Sequence, residues 1–150
     1  MPQTARQALG ELGELAVSKL PCPKCKREKT LRRLPVGFKC ADVICDFCGF
    51  LAQVKTSERA DVSSLPGSLM GAAWQPQAER MQAGIYFPLF IVLVTPDRRS
   101  RSIYYLPADL QRPEMFERRK PLSATARRAG WTGYQLRLDL PGQYPPVRME

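Results

Sequence analysis

Ala41-Asp42-Val43-Ile44-Cys45-Asp46-Phe47-Cys48-Gly49-Phe50-Leu51-Ala52-Gln53-Val54-Lys55 reads as two short strands joined through a Cys-x-x-Cys knuckle. The segment from Phe38 to Ile44 enters the knuckle as a strand, and Phe50 to Thr56 leaves it as another, so the knuckle is the turn of a hairpin. Gln53 and Lys55 are two apart on the outgoing strand, and side chains at that spacing share one side. Asp42 lies on the incoming strand of the same hairpin. A carboxylate binds a hard divalent cation such as magnesium, and a lysine ammonium orients water or stabilises developing charge, which are the parts phosphodiester hydrolysis needs.

A second pair, Cys22 and Cys25, stands on the knuckle Pro21-Cys22-Pro23-Lys24-Cys25, with nineteen residues between Cys25 and Cys45. Two such knuckles bring four thiolates to one tetrahedral ion, and their spacing is that of a four-cysteine zinc ribbon at about 20–50. Two redox or incidental cysteine pairs are the plainer alternative. Four sulfur ligands leave no position for water, so zinc on Cys22, Cys25, Cys45 and Cys48 is expected to be structural. Cys40 has no partner pair and reads as small core filling. The chain contains no histidine, which excludes His-dependent triads and histidine as a general base or metal ligand.

The 150 residues suit a single domain, 1–150, with one core. The formal charge of +9 and a pI near 9.7 point to a polyanionic partner, nucleic acid before any other. A basic surface with no partner is the plainer reading of the charge. The N-terminus has no apolar core of signal-peptide length, and the longest apolar run, Tyr86 to Val94, is too short to span a bilayer. No membrane partner and a cytoplasmic location are expected, and a reducing compartment favours metal over disulfides.

Outward from the hairpin, Ala5, Leu9, Leu12, Ala16 and Leu20 recur at helical spacing from Thr4 until Pro21 ends the run. The basic stretch 26–34 lies between the knuckles, solvated or touching phosphate. Ser68 to Gln82 reads as a weak helix interrupted by Pro76. Ile85 to Thr95 reads as a central strand covered on both faces, with Pro88 delaying its entry into the sheet. Arg101 to Leu106 is its partner strand, Gln111 to Lys120 is basic and irregular, and Ser123 to Ala129 is a short helix closed by Gly130. Tyr134, Leu136, Leu138 and Leu140 alternate as a last half-buried strand.

An acid followed eleven positions later by Gln-x-Lys is by itself a weak pattern. Its context adds a preceding helix with glutamates (Leu9-Gly10-Glu11-Leu12-Gly13-Glu14-Leu15-Ala16), a hairpin, a following helix and a central apolar strand. That order resembles the PD-(D/E)XK nuclease core. Together with the downstream segment Pro121-Leu122-Ser123-Ala124-Thr125-Ala126-Arg127-Arg128-Ala129-Gly130-Trp131-Thr132-Gly133, it resembles the catalytic domain of the DpnI-type restriction endonucleases, over about Glu14 to Leu140. The resemblance implies an α/β fold with a restriction-endonuclease-like core: a central mixed sheet flanked by helices, with an inserted zinc ribbon.

Carried over by position, the resemblance makes Asp42 the metal-binding aspartate, Lys55 the catalytic lysine and Glu14 an auxiliary ligand. Gln53 stands where the family's usual residue is an acid. An amide carbonyl ligates magnesium, or manganese, less tightly than a carboxylate. The Arg127-Arg128 pair is expected on DNA phosphate by resemblance, although such pairs are more often the charged face of a helix. Trp131 is expected as a core anchor more than as a base-stacking residue.

The function implied is a metal-dependent DNA endonuclease of restriction type acting on double-stranded DNA, with modification dependence left open. Double-strand cleavage needs two sites acting together, so a homodimer on DNA is expected. The family's winged-helix domain has no room before residue 150, so target choice is left open, a separate specificity protein or domain being one source of it. Two alternatives remain. One is a non-catalytic nucleic-acid-binding protein that keeps the nuclease fold and has lost cleavage through Gln53. The other is a zinc ribbon of the translation or transcription machinery that binds RNA or a protein.

Overall fold

A computed structural model describes residues 3–38, 41–126, 130 and 132–150, with the side chain of Ala72 left aside. The fold is mixed α/β, with a six-stranded mixed sheet and two α-helices among the described residues. The chain divides into two compact units.

The first unit comprises Met1–Ser64, Phe87–Ala108 and Pro146–Glu150. It opens with α1, Ala5–Ser18. Thr4 caps this helix by accepting a hydrogen bond from the Gln7 amide at 3.1 Å, while Gln7 Oε1 accepts one from the Thr4 amide at 2.9 Å. This reciprocal capping satisfies two of the N–H groups a helix start leaves without partners. The strands β1 (Leu31–Arg33), β2 (Val43–Cys45) and β3 (Leu51–Glu58) form an antiparallel set. β3 then runs parallel to β5 (Leu89–Val94), which pairs antiparallel with β6 (Arg101–Leu106), and a short β9 (Val147–Arg148) completes the edge. A parallel neighbour cannot be reached by a tight turn: the first segment of the second unit, Leu65–Tyr86, lies in the β3 to β5 connection, and its second, Asp109–Pro145, lies between β6 and β9.

All six residues of β5 are buried, as a continuous apolar run requires. Ala16 and Val17 of α1 pack with Ala52, Phe90, Val92 and Ile103, which places the helix over one face of β3 and β5. Contact is close because Gly13 has no side chain: a Cβ there would overlap Thr56 Oγ1. Gln53 is in register with Leu89 and Lys55 with Ile91, so both belong to the face away from α1.

The second unit comprises Leu65–Tyr86 and Asp109–Pro145. Its three-stranded antiparallel sheet has the order β4 (Ser68–Ala73), β8 (Gly133–Arg137), β7 (Phe116–Arg118). The helix α2, Trp74–Gln82, follows β4 directly. Leu69, Met115, Leu136 and Leu138 are buried, and Trp74, Tyr134, Phe116 and Tyr86 form a chain of ring contacts with centroids 5.8 to 6.5 Å apart.

Two sequence expectations are corrected. Ser68 to Gln82 is not one weak helix, because its first six residues are β4, paired with β8 from Ser68↔Arg137 to Gly71↔Tyr134. Gly71 permits this by leaving room for the Tyr134 ring, and Pro76 falls in the first turn of α2, where no intrahelical N–H is needed. The strand expected from Phe38 begins only at Val43, while Phe38 is exposed and its amide closes a turn on Pro35 O at 3.1 Å. Of the helix expected at 123–129, residues 123–126 form a turn and not a helix, and 127–129 lie outside the described residues. Among those that are described, the Ala126 amide turns back to Ser123 O at 3.0 Å. Among the described residues no helix is long and apolar enough to cross a membrane.

Candidate functional site

The two knuckles repeat one local geometry. The Lys26 amide bonds to Cys22 O at 2.9 Å, and the Gly49 amide bonds to Cys45 O at 2.9 Å. Both closing residues take positive φ, 67° at Lys26 and 78° at Gly49. Pairing of β1 with β2 sets Leu31 opposite Cys45 and so brings the second knuckle beside the first.

The four sulfurs Cys22, Cys25, Cys45 and Cys48 all lie within 4.8 Å of one another. Cys22 Sγ is 3.6 Å from Cys48 Sγ, and Cys25 Sγ is 3.7 Å from Cys45 Sγ. A tetrahedral ion with metal–sulfur bonds of about 2.3 Å has sulfur–sulfur edges of about 3.8 Å, whereas a disulfide holds its sulfurs about 2.05 Å apart. The arrangement fits a shared metal ion. The knuckle backbone supports thiolate at Cys45, whose Sγ accepts from the Cys48 amide at 3.5 Å and is joined to Thr30 Oγ1 at 3.2 Å, whereas burial pushes the Cys22 thiol up to about 12. At Cys45 burial acts to raise the thiol pKa, but Thr30 and the Cys48 and Phe47 amides together outweigh it and bring the group to about 6.

Asp42 stands just before β2, at the point where its ladder with β3 ends. The Asp42 amide donates to Ala52 O at 2.9 Å, and Leu34 donates its amide to Asp42 O at 2.8 Å. Beyond this point the Val54 amide has no strand partner on the β2 side, and Asp42 Oδ2 accepts its hydrogen bond at 2.8 Å. The carboxylate is thereby held against β3 between Gln53 and Lys55.

Glu14 reaches the same carboxylate electrostatically from α1. Burial raises its pKa most, the Asp42 charge raises it further, Arg33 opposes, and Glu11 adds to the rise. Arg33 Nη1 lies 3.3 Å from Glu11 Oε1, and its Nε is 3.9 Å from Glu14 Oε1. That Nε is buried without a hydrogen-bond partner, and the single Arg33 charge is shared between Glu11 and Glu14. The Asp42 and Glu14 carboxylates offer oxygen donors suited to a hard cation.

The structure thus joins Asp42 to the β3 backbone and couples Glu14 to Asp42, and the pleat gives Gln53 and Lys55 a common face. Arg33 escaped sequence reasoning, which took 26–34 as solvated or phosphate-touching. Its partners lie 22 residues away for Glu11 and on another element, so no local signal pointed to the pairing. Cys40, Arg127, Arg128 and Trp131 lie outside the described residues.

A sequence profile described as DpnI, Dam-replacing family, matches residues 3–143. The matched span takes in both knuckles, Asp42, Gln53, Lys55 and the sheet of the second unit. The family is one of restriction-type endonucleases, which implies nuclease activity and DNA as the partner. A match over nearly the whole length, on a mixed α/β fold with a four-cysteine cluster, leads to one conclusion: the chain belongs to the DpnI, Dam-replacing, family.

Proposed function

We propose that this protein is a magnesium-dependent endodeoxyribonuclease with a PD-(D/E)XK core and a structural zinc ribbon. The observation that carries the reading is the 2.8 Å hydrogen bond from the Val54 amide to Asp42 Oδ2, which sets a carboxylate beside Gln53 and Lys55. Asp42, the Gln53 carbonyl and Glu14 would hold magnesium or manganese. Bound there, the ion supplies polarisation of the scissile phosphate and a more acidic water. Lys55 acts by charge, stabilising the negative charge that develops on the phosphate oxygens or orienting the attacking water. Glu14 adds a second carboxylate whose repulsion from Asp42 a cation relieves.

Cys22, Cys25, Cys45 and Cys48 would hold zinc, whose closed sulfur shell supplies rigidity to the ribbon and no open position for catalysis. The substrate is double-stranded DNA. A homodimer supplies the second active site for the second strand, and a separate specificity protein or domain selects the target. Arg127 and Arg128 contact phosphate. Nothing in the residues described favours methylated over unmethylated DNA, so the test includes both.

The test is cleavage of supercoiled plasmid, adenine-methylated and unmethylated, with magnesium and then manganese. Metal-dependent loss of supercoiled DNA that disappears in Lys55→Ala supports the reading, and a preference for one plasmid sets the modification dependence. Plasmid left intact under all conditions by both proteins overturns it. If Gln53→Glu alone then cleaves, the natural chain is a binding protein on a nuclease fold, because the neutral amide holds the cation too weakly.

A further inference from the structure

Lys24, Lys26, Arg27 and Lys29 are all exposed on the first knuckle and the loop that follows it, and Glu28 is the one acid among residues 24–29. Some basic side chains of the ribbon are already engaged within it. Lys26 Nζ donates to Pro23 O at 2.7 Å, and Arg32 is paired with Asp46 at 2.9 Å. Arg27 has no carboxylate partner among the described residues. Its guanidinium instead lies over the ring of Phe47 on the opposite knuckle, with Cζ 3.7 Å from the ring centroid. Phe47 is 58 % exposed, an unusual position for a phenylalanine on a rigid turn.

The backbone under Arg27 is firmly held. Arg27 O accepts hydrogen bonds from the Cys22 amide at 2.9 Å and from Thr30 Oγ1 at 3.3 Å, and left-handed residues stand on either side at Lys26 and Lys29. A guanidinium stacked on an aromatic face is attracted to the ring and keeps its N–H edge outward, a planar fork that matches two phosphate oxygens. Because the stack already orients the side chain, less rotamer freedom is lost when a phosphate docks. Positive charge with a preset fork, on a loop with one acid, fits a polyanionic backbone.

We propose that the Arg27–Phe47 stack is a phosphate clamp, by which the ribbon grips duplex DNA outside the cleaved bond. The inference rests on the reading of Asp42 as part of the nuclease site. Three residue steps along β2 lead from Asp42 to Cys45, where the knuckle starts, about 10 Å at 3.3 Å per residue.

The experiment measures the affinity of the full-length, metal-replete protein for a duplex oligonucleotide as a function of potassium chloride, with calcium in place of magnesium. Arg27→Ala should weaken binding several-fold at 0.1 M salt and reduce the log–log salt slope by about 0.9, the signature of one lost phosphate contact. Phe47→Ala should lose part of that affinity, and the double variant should bind no worse than Arg27→Ala. Arg99→Ala, an exposed cation on the turn after β5, should leave the slope unchanged. With magnesium, Arg27→Ala should raise KM and leave kcat unchanged.

An unaltered slope in Arg27→Ala, an equal change in Arg99→Ala, or additive losses in the double variant would each overturn the clamp. A reduced slope in Arg27→Ala with a wild type that never cleaves leaves the clamp standing and defeats the catalytic reading. A wild type that cleaves while Arg27→Ala keeps its slope does the reverse. A wild type without affinity for the duplex defeats the clamp outright.

Discussion

Gly10 and Gly13 lie on the same helix, and the packing of α1 predicts opposite outcomes for alanine at the two positions. A Cβ at Gly10 meets nothing within 4 Å, so Gly10→Ala gains helix propensity alone, about 0.5–1 kcal/mol. A Cβ at Gly13 would overlap Thr56 Oγ1 and lie 2.9 Å from Thr56 Cβ. Rotating Thr56 removes the first clash but not the second, because Cβ does not move with χ1. Restoring an ordinary carbon contact of about 3.5–4.0 Å needs the helix to lift from β3 by roughly 1 Å. Overpacking of this kind costs about 1–3 kcal/mol, which outweighs the propensity gain and leaves a net loss of about 1–2 kcal/mol.

For a domain of this length such a loss lowers Tm by about 2–8 °C, while Gly10→Ala should raise it by about 1–4 °C. Thermal unfolding followed by circular dichroism gives both numbers. The lift also carries Glu14 away from Asp42, and a misplacement near 1 Å can cost about 100-fold in rate, so Gly13→Ala should be impaired in cleavage beyond its stability loss. Thr56→Ala should rescue it only in part, since the Cβ contact remains. If both alanine variants gain stability, the close approach of α1 to β3 is wrong.

The acid cluster predicts a pH dependence. Glu14 has its pKa raised above the ordinary 4.5, chiefly by burial and then by Asp42, so the folded chain holds that proton to higher pH than the unfolded chain. Stability is therefore lost as pH rises from about 4.5 through the folded value, and Glu14→Gln should melt higher than wild type at pH 7 with the advantage vanishing near pH 4. The same variant should need more magnesium for cleavage, and a variant that melts lower at pH 7 would show that Arg33 outweighs the repulsion. Removal of the ribbon metal, by chelation or by Cys48→Ser, should lower Tm by on the order of 10 °C, because structural zinc contributes folding free energy directly. Elemental analysis should then show one zinc per native chain and none in the variant; an unchanged Tm on metal loss would refute a structural role.

The four cysteine positions were legible in the sequence because a Cys-x-x-Cys knuckle is a local turn, and metal coordination demands that spacing wherever it occurs. The absence of histidine excluded whole reaction classes for the same reason: side-chain chemistry does not depend on folding. The buried strand Leu89–Val94 was legible too, since an unbroken apolar run has only one stable environment. What failed were segments whose state is decided by a distant partner. Ser68–Ala73 is a strand because β8 pairs with it and Tyr134 fills the space over Gly71, neither of which a window of sequence contains.

The site shows the same division. Sequence named Asp42, Gln53 and Lys55, and the pleat alone put the last two on one side. Only the tertiary structure ended the β2–β3 ladder at Asp42, so that a side-chain carboxylate replaced a backbone carbonyl on the Val54 amide. Only it brought Glu14 near Asp42 and drew Arg33 out of the basic stretch towards Glu11 and Glu14. The reason is physical: composition and spacing fix what a residue can do, but electrostatic coupling depends on through-space distance, which is set by the packing of one element on another.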